Sequence, residues 1–316
     1  MTGHEGFLGS WLSRALLENG AKVVGLDKVA NRPHSILKDL RKDIICIKGD
    51  VSDLKLVKKI TDKYKPRIIF HLAAEAIVGE ANKNPIRTFK SNIEGTWNIL
   101  EAARDKKFIK ALVIASSDKA YGAHKELPYK EDAALKGNHP YDASKSCADL
   151  LCLAYYNTYD VPVCVTRCGN IYGPGDYHFS RIIPDVIRSA IKNEIFLIRS
   201  DGKFTRDYIY VDDIVTGYVK LAEVMVKKKL SGEAFNFSNE KPISVLEIVK
   251  IIYNLTNKKP KYRILNVAKY EIRDQYLSAE KAKRNLGWRP RYNLREGLIN
   301  TIKWYKDTLV TDEIKK

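Results

Sequence analysis

No run of about 18 apolar residues occurs anywhere in the chain, so a membrane-spanning helix is not expected. The first residues lack a basic stretch followed by an apolar one, and no signal peptide is expected either. Only five cysteines are present (Cys46, Cys147, Cys152, Cys164 and Cys168), and no two form a Cys-x-x-Cys pair. That usage offers neither a metal site nor a disulfide framework and fits a reducing cytoplasm; Cys164 and Cys168 flank a strand-like run and read as core. Internal repeats and low-complexity linkers are missing too. Acids are in deficit, with 38 Asp and Glu against 55 Lys and Arg, a formal charge of +17. Such a surplus can signal nucleic acid. Here the lysines alternate with acids, and clusters such as Lys227-Lys228-Lys229 read as solvated faces or loops. A basic cleft for an anionic diphosphate is the more economical account.

What remains is an ordinary globular composition, 45% apolar over 316 residues, enough for one large domain or two coupled ones. Gly3, Gly6 and Gly9 make a GxxGxxG loop opening a helix through Ser10–Asn19. Glycine lets backbone approach a pyrophosphate, whose charge then meets the helix N-terminus. Gly20 ends that helix, and Ala21–Leu26 reads as a strand with Asp27 at its end. An acid there suits the adenosine ribose hydroxyls and favours NAD over NADP, because it repels a 2′-phosphate. Lys28 works against that preference, and Asp27 also reads as an ordinary turn residue.

A dinucleotide fold needs an apolar strand before the glycine loop, yet only Met1 and Thr2 precede it. A missing central strand would expose two strand edges. The sequence-based expectation is a shortened first strand, or another segment in its place.

Further on, Ile44–Lys48 reads as a strand followed by Asp50 and Val51, where a carboxylate suits an adenine amino group or caps a helix with Ser52 and Asp53. Arg67–Leu72 is a strand ending His71-Leu72-Ala73-Ala74; the small alanines admit a ribose and diphosphate, and His71 reads as packed. Asn84–Lys106, containing Asn92, reads as one amphipathic helix. The apolar run Ala111–Ala115 leads into Ser116-Ser117-Asp118-Lys119, at the carboxyl end of a strand, where ligands of open α/β sheets bind. Tyr141 and Lys145 lie four apart and share a helical face. A lysine ammonium beside a phenol stabilises phenolate and lowers the tyrosine pKa. Ser117 completes a proton-relay triad, and Asp118 supplies a carboxyl able to act as an acid.

Val161–Arg167 is a further strand, and residues 168–176 read as a loop by their Gly, Pro and Asp content. Asn170 there suits a ligand phosphate. Arg181, Arg206 and Arg273 are candidates for gripping a diphosphate, since guanidinium matches phosphate oxygens. The strand–helix alternation predicts an α/β protein with a doubly wound parallel sheet.

Taken in order, Gly3…Gly9, His71-Leu72-Ala73-Ala74, Ser117, Tyr141…Lys145 and Arg206-Asp207-Tyr208 resemble the extended short-chain dehydrogenase/reductase superfamily, almost end to end. That resemblance implies a Rossmann-like NAD domain over 1–168, including Phe7 and Leu8 at the cofactor. It also implies a smaller α/β substrate region over 169–316, with some segments returning to the first domain. Gly6-Phe7-Leu8-Gly9-Ser10-Trp11-Leu12, Ser116-Ser117-Asp118-Lys119, Asn170 and Arg181-Ile182-Ile183-Pro184 look most like CDP-glucose 4,6-dehydratases. Glu75 matches the dTDP-glucose branch instead, and Arg206–Val211 matches the superfamily at large. The reaction implied is water loss from a nucleotide sugar, with NAD as a returning hydride carrier. Tyr141 is then the base at the 4-hydroxyl, Ser117 a hydrogen-bond partner to the same oxygen, and Lys145 the holder of the nicotinamide ribose. Asp118 is the acid at the 6-hydroxyl. Lys119 stands where relatives carry Glu, as the C5 base or as a stabiliser of the enolate. The competing readings are a nucleotide-sugar 4-epimerase and a non-catalytic NAD- or RNA-binding protein. Helices 84–106 and 141–159 correspond to those forming a four-helix homodimer interface in relatives.

Overall fold

The computed structural model describes residues 1–32, 35–228, 230–268 and 271–314, so Lys229 of the basic cluster lies outside the described residues. Two runs of parallel strands make up the main sheet. Val23–Asp27 pairs with Ile44–Lys48, and Ile68–His71, Ala111–Ala115, Val163–Cys168 and Ala234–Phe237 pair in that order. Among the described residues, only Met1–Gly3 lie between the two runs. Thr2 bridges both Leu26 and His71 in parallel. Its N–H donates to Phe70 O at 3.0 Å, and Leu72 N donates to Thr2 O at 3.2 Å. Met1 O accepts from Leu26 N at 2.9 Å, and Gly3 N donates to Leu26 O at 2.8 Å. Three residues thus satisfy the facing edges where the expected strand is short.

Helices cover both faces. Phe7–Glu18 and Val211–Lys228 pack on one, where Leu12, Val113, Tyr218, Leu221 and Phe235 form an apolar cluster. On the other, Leu100, Leu112, Ile114, Cys152 and Val163 pack together. Leu112, Val113 and Ile114 are at most 1% exposed, and burying such side chains contributes roughly 1.5–3 kcal/mol each. The polar end of this strand therefore projects from a fixed base.

A second lobe has its own core of Ile183, Val186, Ile187, Phe196, Ile198, Ile248, Val249, Leu298 and Ile302. Thr205–Tyr210 pairs antiparallel with Pro242–Ser244 and parallel with Asn170–Tyr172 and Asp274–Gln275. Residues 168–176, expected as loop, therefore contain a strand. Turn residues do bracket it, but Ile171 and Tyr172 in the middle bury against the lobe. Phe196–Ile198 pairs with Tyr262–Ile264.

The expected single helix over 84–106 is also revised. It is built as Pro85–Phe89, a π-helical turn Lys90–Glu94, and Gly95–Ala103, after a separate helix Val78–Lys83. Wide turns of this kind are frequent at functional sites. This one carries Asn92. Apolar periodicity does not register an i→i+5 insertion, so the sequence reads straight through it.

Candidate active site

The carboxyl ends of the strands gather most of the expected residues. Gly3 has φ +71, and a Cβ at Gly9 would stand 1.9 Å from Gly3 O. A Cβ at Gly3 would stand 2.7 Å from Ala73 N, so this loop lies directly on Leu72-Ala73. The helix Phe7–Glu18 starts after Gly6 without a side-chain cap. Close backbone and an uncapped N-terminus form a cradle that fits a dinucleotide pyrophosphate. Phe7 and Leu8, in the first helical turn, turn partly buried faces to the second lobe's core. At the adenosine end, Asp27 Oδ2 accepts from Glu5 N at 3.0 Å and Oδ1 from Val29 N at 3.1 Å. Each oxygen keeps a lone pair for a ribose hydroxyl. Asp50 pairs with Lys28 Nζ at 2.9 Å and accepts from Ser52 N at 3.0 Å. Lys28 is thus neutralised from Asp50. The helix cap is Asp53, which accepts from Leu56 N. Val51 packs beneath Gly95, and its carbonyl accepts from Asn98 Nδ2 at 3.0 Å.

Glu5 escaped the sequence reading. Its buried carboxylate takes Arg41 Nε at 3.0 Å and Arg41 Nη2 at 3.2 Å, and it accepts from Arg32 N. The glycine loop is thereby fastened to the segment after Asp27. Only the spacing of an acid inside a glycine motif signalled it. His71 bonds Thr2 Oγ1 at 2.7 Å and Thr96 Oγ1 at 3.3 Å. Burial lowers its pKa to about 3, so it stays neutral and joins elements rather than moving protons.

Ser117 caps a 3₁₀ turn, Asp118–Tyr121, that continues the strand Ala111–Ala115. Its Oγ donates to Asp118 Oδ1 at 3.0 Å and accepts from Lys119 N at 3.2 Å. Asp118 is buried with Oδ2 unpartnered. Burial raises its pKa, against the lowering influence of Lys119, Ser117 and Arg206, so the carboxyl is biased toward its acid form. Tyr141 begins the helix Pro140–Tyr159, with Pro140 in its first turn. Ser117 exerts a lowering influence on the Tyr141 phenol, yet burial raises it to about 12. The net shift is upward because burial outweighs every group that lowers the phenol. Lys145 Nζ donates to Ala115 O at 2.8 Å and lies 5.9 Å from the Tyr141 ring centroid. Burial lowers this amine to about 8.

Asn92 clamps the surroundings. Its Oδ1 accepts from Glu75 N at 2.7 Å, and its Nδ2 donates to Glu75 O at 3.0 Å and to Ser144 Oγ at 2.9 Å. The π-helical turn is thus tied to the helix bearing Tyr141 and Lys145.

Of the three arginines, Arg206 and Arg273 are neighbours over Phe204, and the charges of Arg181 and Arg206 reach Tyr141 and Asp118 respectively. Arg181 pairs with Asp176 at 2.9 Å. Arg273 is mostly exposed, 3.6 Å from Asp201. Arg206 is buried, donating to Thr205 O and Arg273 O at 2.8 and 2.9 Å, and its charge acts on Asp118 and Lys119. Asn170 Nδ2 reaches Asp207 O at 3.4 Å. Among the described residues, no group of His, Cys, Asp and Glu is arranged to hold a metal.

Comparison with known proteins places this geometry. The chain is 32% identical to CDP-glucose 4,6-dehydratase of Salmonella typhimurium, over 97% of this chain and 89% of the other. The dTDP-glucose 4,6-dehydratase DesIV of Streptomyces venezuelae, solved with NAD bound, superposes with a TM-score of 0.90 at 27% identity, covering 100% of this chain and 98% of that one. The UDP-glucose 4-epimerase of Thermotoga maritima, solved with UDP-glucose, superposes at 0.89 with 28% identity and 98% coverage of both. Residues 1–301 match the family model of GDP-mannose 4,6 dehydratase. A Rossmann-like α/β fold, a glycine cradle fitted to NAD and a match over nearly the whole chain agree, and the protein belongs to the GDP-mannose 4,6-dehydratase family of NAD-dependent epimerases and dehydratases.

Proposed function

We propose that the protein is an NAD-dependent nucleotide-sugar 4,6-dehydratase acting on CDP-glucose or a similar nucleotide-diphosphate sugar. The observation that carries this reading is the buried Asp118, biased toward its acid form, beside Lys119 and hydrogen-bonded to Ser117. A 4-epimerase needs the Tyr141, Lys145 and Ser117 set alone. Expelling water needs an acid as well.

NAD, when bound, supplies a hydride acceptor at C4 of the sugar and later a donor to C6. Residues 1–168 hold it: Gly3, Gly6, Phe7, Leu8 and Gly9 at the diphosphate, Asp27 at the adenosine ribose, Asp50 and Val51 at the adenine. Leu72, Ala73, Ala74, Asn92, Tyr141 and Lys145 line the nicotinamide side. Residues 169–316 mainly hold the sugar nucleotide, through Asn170, Arg181, Arg206 and Arg273. Tyr141 removes the 4-hydroxyl proton, and Ser117 holds the same oxygen. The resulting 4-ketone acidifies the C5 proton, which Lys119 accepts or whose enolate it stabilises. Asp118 gives its proton to the departing 6-hydroxyl, which leaves as water.

Incubation with CDP-glucose, dTDP-glucose, UDP-glucose and GDP-mannose, each with NAD, tests this by product mass. Loss of one water from a single sugar nucleotide is the expected result. An unchanged mass with a new stereoisomer would transfer the protein to the epimerases.

The assembly is a homodimer through helices Gly95–Ala103 and Pro140–Tyr159. The support is exposed apolar surface on both: Trp97, Leu150, Leu153 and Tyr159 are each at least 42% exposed. Sedimentation should give a dimer, and Trp97→Glu with Leu153→Glu a folded monomer. A monomeric parent would overturn the assignment. Five free cysteines, and no described helix long and apolar enough to cross a membrane, accord with a cytoplasmic site.

A further inference from the structure

Lys119 is held from the other lobe. Its Nζ donates to Oε1 of Gln275, a fully buried residue on the strand Asp274–Gln275. An ammonium has donors only, so the acceptor must be the amide oxygen. That fixes the amide orientation and turns Nε2 away from Lys119. Nε2 is itself buried and unpartnered. Buried donors of this kind are rare and call for an acceptor from elsewhere. The register places Gln275 opposite Arg206, whose charge also acts on Lys119.

We propose that Gln275 is a positioning residue that holds the Lys119 amine from the substrate lobe and offers its free amide N–H to an oxygen of the bound sugar. This deepens the dehydratase reading and rests on it. The charged groups around Lys119 come from every side. Asp118 lies on its own turn, Asp142 on the helix Pro140–Tyr159, Arg206 on the strand Thr205–Tyr210, and Glu271 on the segment before Arg273. Burial and Arg206 push the amine toward neutrality, and the three carboxylates oppose them. The Gln275 carbonyl favours the ammonium without adding a charge. It therefore biases the balance between a cation and a free amine, while its N–H orients the sugar whose C5 proton is at stake.

Two variants test this, Gln275→Leu and Gln275→Glu, read by NMR titration of lysine ¹⁵Nζ with Lys119→Gln assigning the signal. Removing the carbonyl should lower the Lys119 midpoint by about one pH unit, and adding a carboxylate should raise it by about one. The pH profile of water loss should move the same way in each variant. Gln275→Leu should also raise KM for the sugar nucleotide about tenfold. Unmoved midpoints in both folded variants would overturn the proposal; should Gln275→Leu fail to fold, an unmoved midpoint in Gln275→Glu is enough. The titration needs no turnover. If the parent proves an epimerase, the dehydratase reading fails while the Lys119–Gln275 link is still decided.

Discussion

Asp118→Asn is expected to abolish water loss, lowering turnover by about 10²- to 10⁴-fold, the usual worth of a positioned acid. Asparagine keeps the shape of the side chain and carries no proton to give. It also puts no charge into a site that already disfavours one, so the fold should hold. Hydride removal from C4 precedes the step that Asp118 serves. The variant should therefore still show reduced-nicotinamide absorbance on mixing with the sugar nucleotide, while the product mass stays unchanged. Dehydration at the parent rate would remove Asp118 from the acid role. The pH dependence has a definite sign. Asp118 acts in its protonated form and its pKa is raised. The acid-limited rate is therefore full at low pH and declines as pH rises through that shifted value.

Tyr141→Phe should silence both signals. The ring still fills a site only 8% exposed, but no group remains to take the 4-hydroxyl proton. Neither reduced-nicotinamide absorbance nor a mass change should appear, a loss of about 10²- to 10⁴-fold or more at the first step. The two variants thus divide the reaction at the ketone. Since burial raises the phenol to about 12, the free protein holds little phenolate at neutral pH. The rate of the hydride step should climb with pH. Ser117→Ala removes a group that lowers the phenol, so it should move the climb to higher pH. A Tyr141→Phe protein that still reduces the cofactor would show that the base lies elsewhere.

Local chemistry made much of this legible beforehand. The glycine loop needs close backbone, and the Tyr141–Lys145 spacing needs one helical face; both demands show in a short window of sequence. The apolar run Ala111–Ala115 located the strand end, and the relatives bear out the reaction class and NAD. What could not be read depends on distant partners. Met1–Gly3 serve as a strand only because Leu26 and Phe70 present unpaired backbone to them. Arg206 read as a diphosphate ligand, and no signal in the sequence showed that its strand would also bring its charge to bear on Asp118 and Lys119. Gln275 itself sits in a segment with no motif of its own. Nothing in the sequence says that its amide crosses to a residue 156 positions away.

The strand Ala234–Phe237 closes the main sheet, although it follows much of the second lobe in the chain. This bears on biosynthesis. When residues 1–168 have left the ribosome, the strand Val163–Cys168 still offers an open edge. The face that Val211–Lys228 will cover is bare as well. The nascent half-protein therefore carries the kind of surface that recruits chaperones or neighbouring chains. It can reach its native state only after about 70 further residues have been translated. A gene fragment ending at 168 should yield inclusion bodies rather than an autonomous cofactor-binding module.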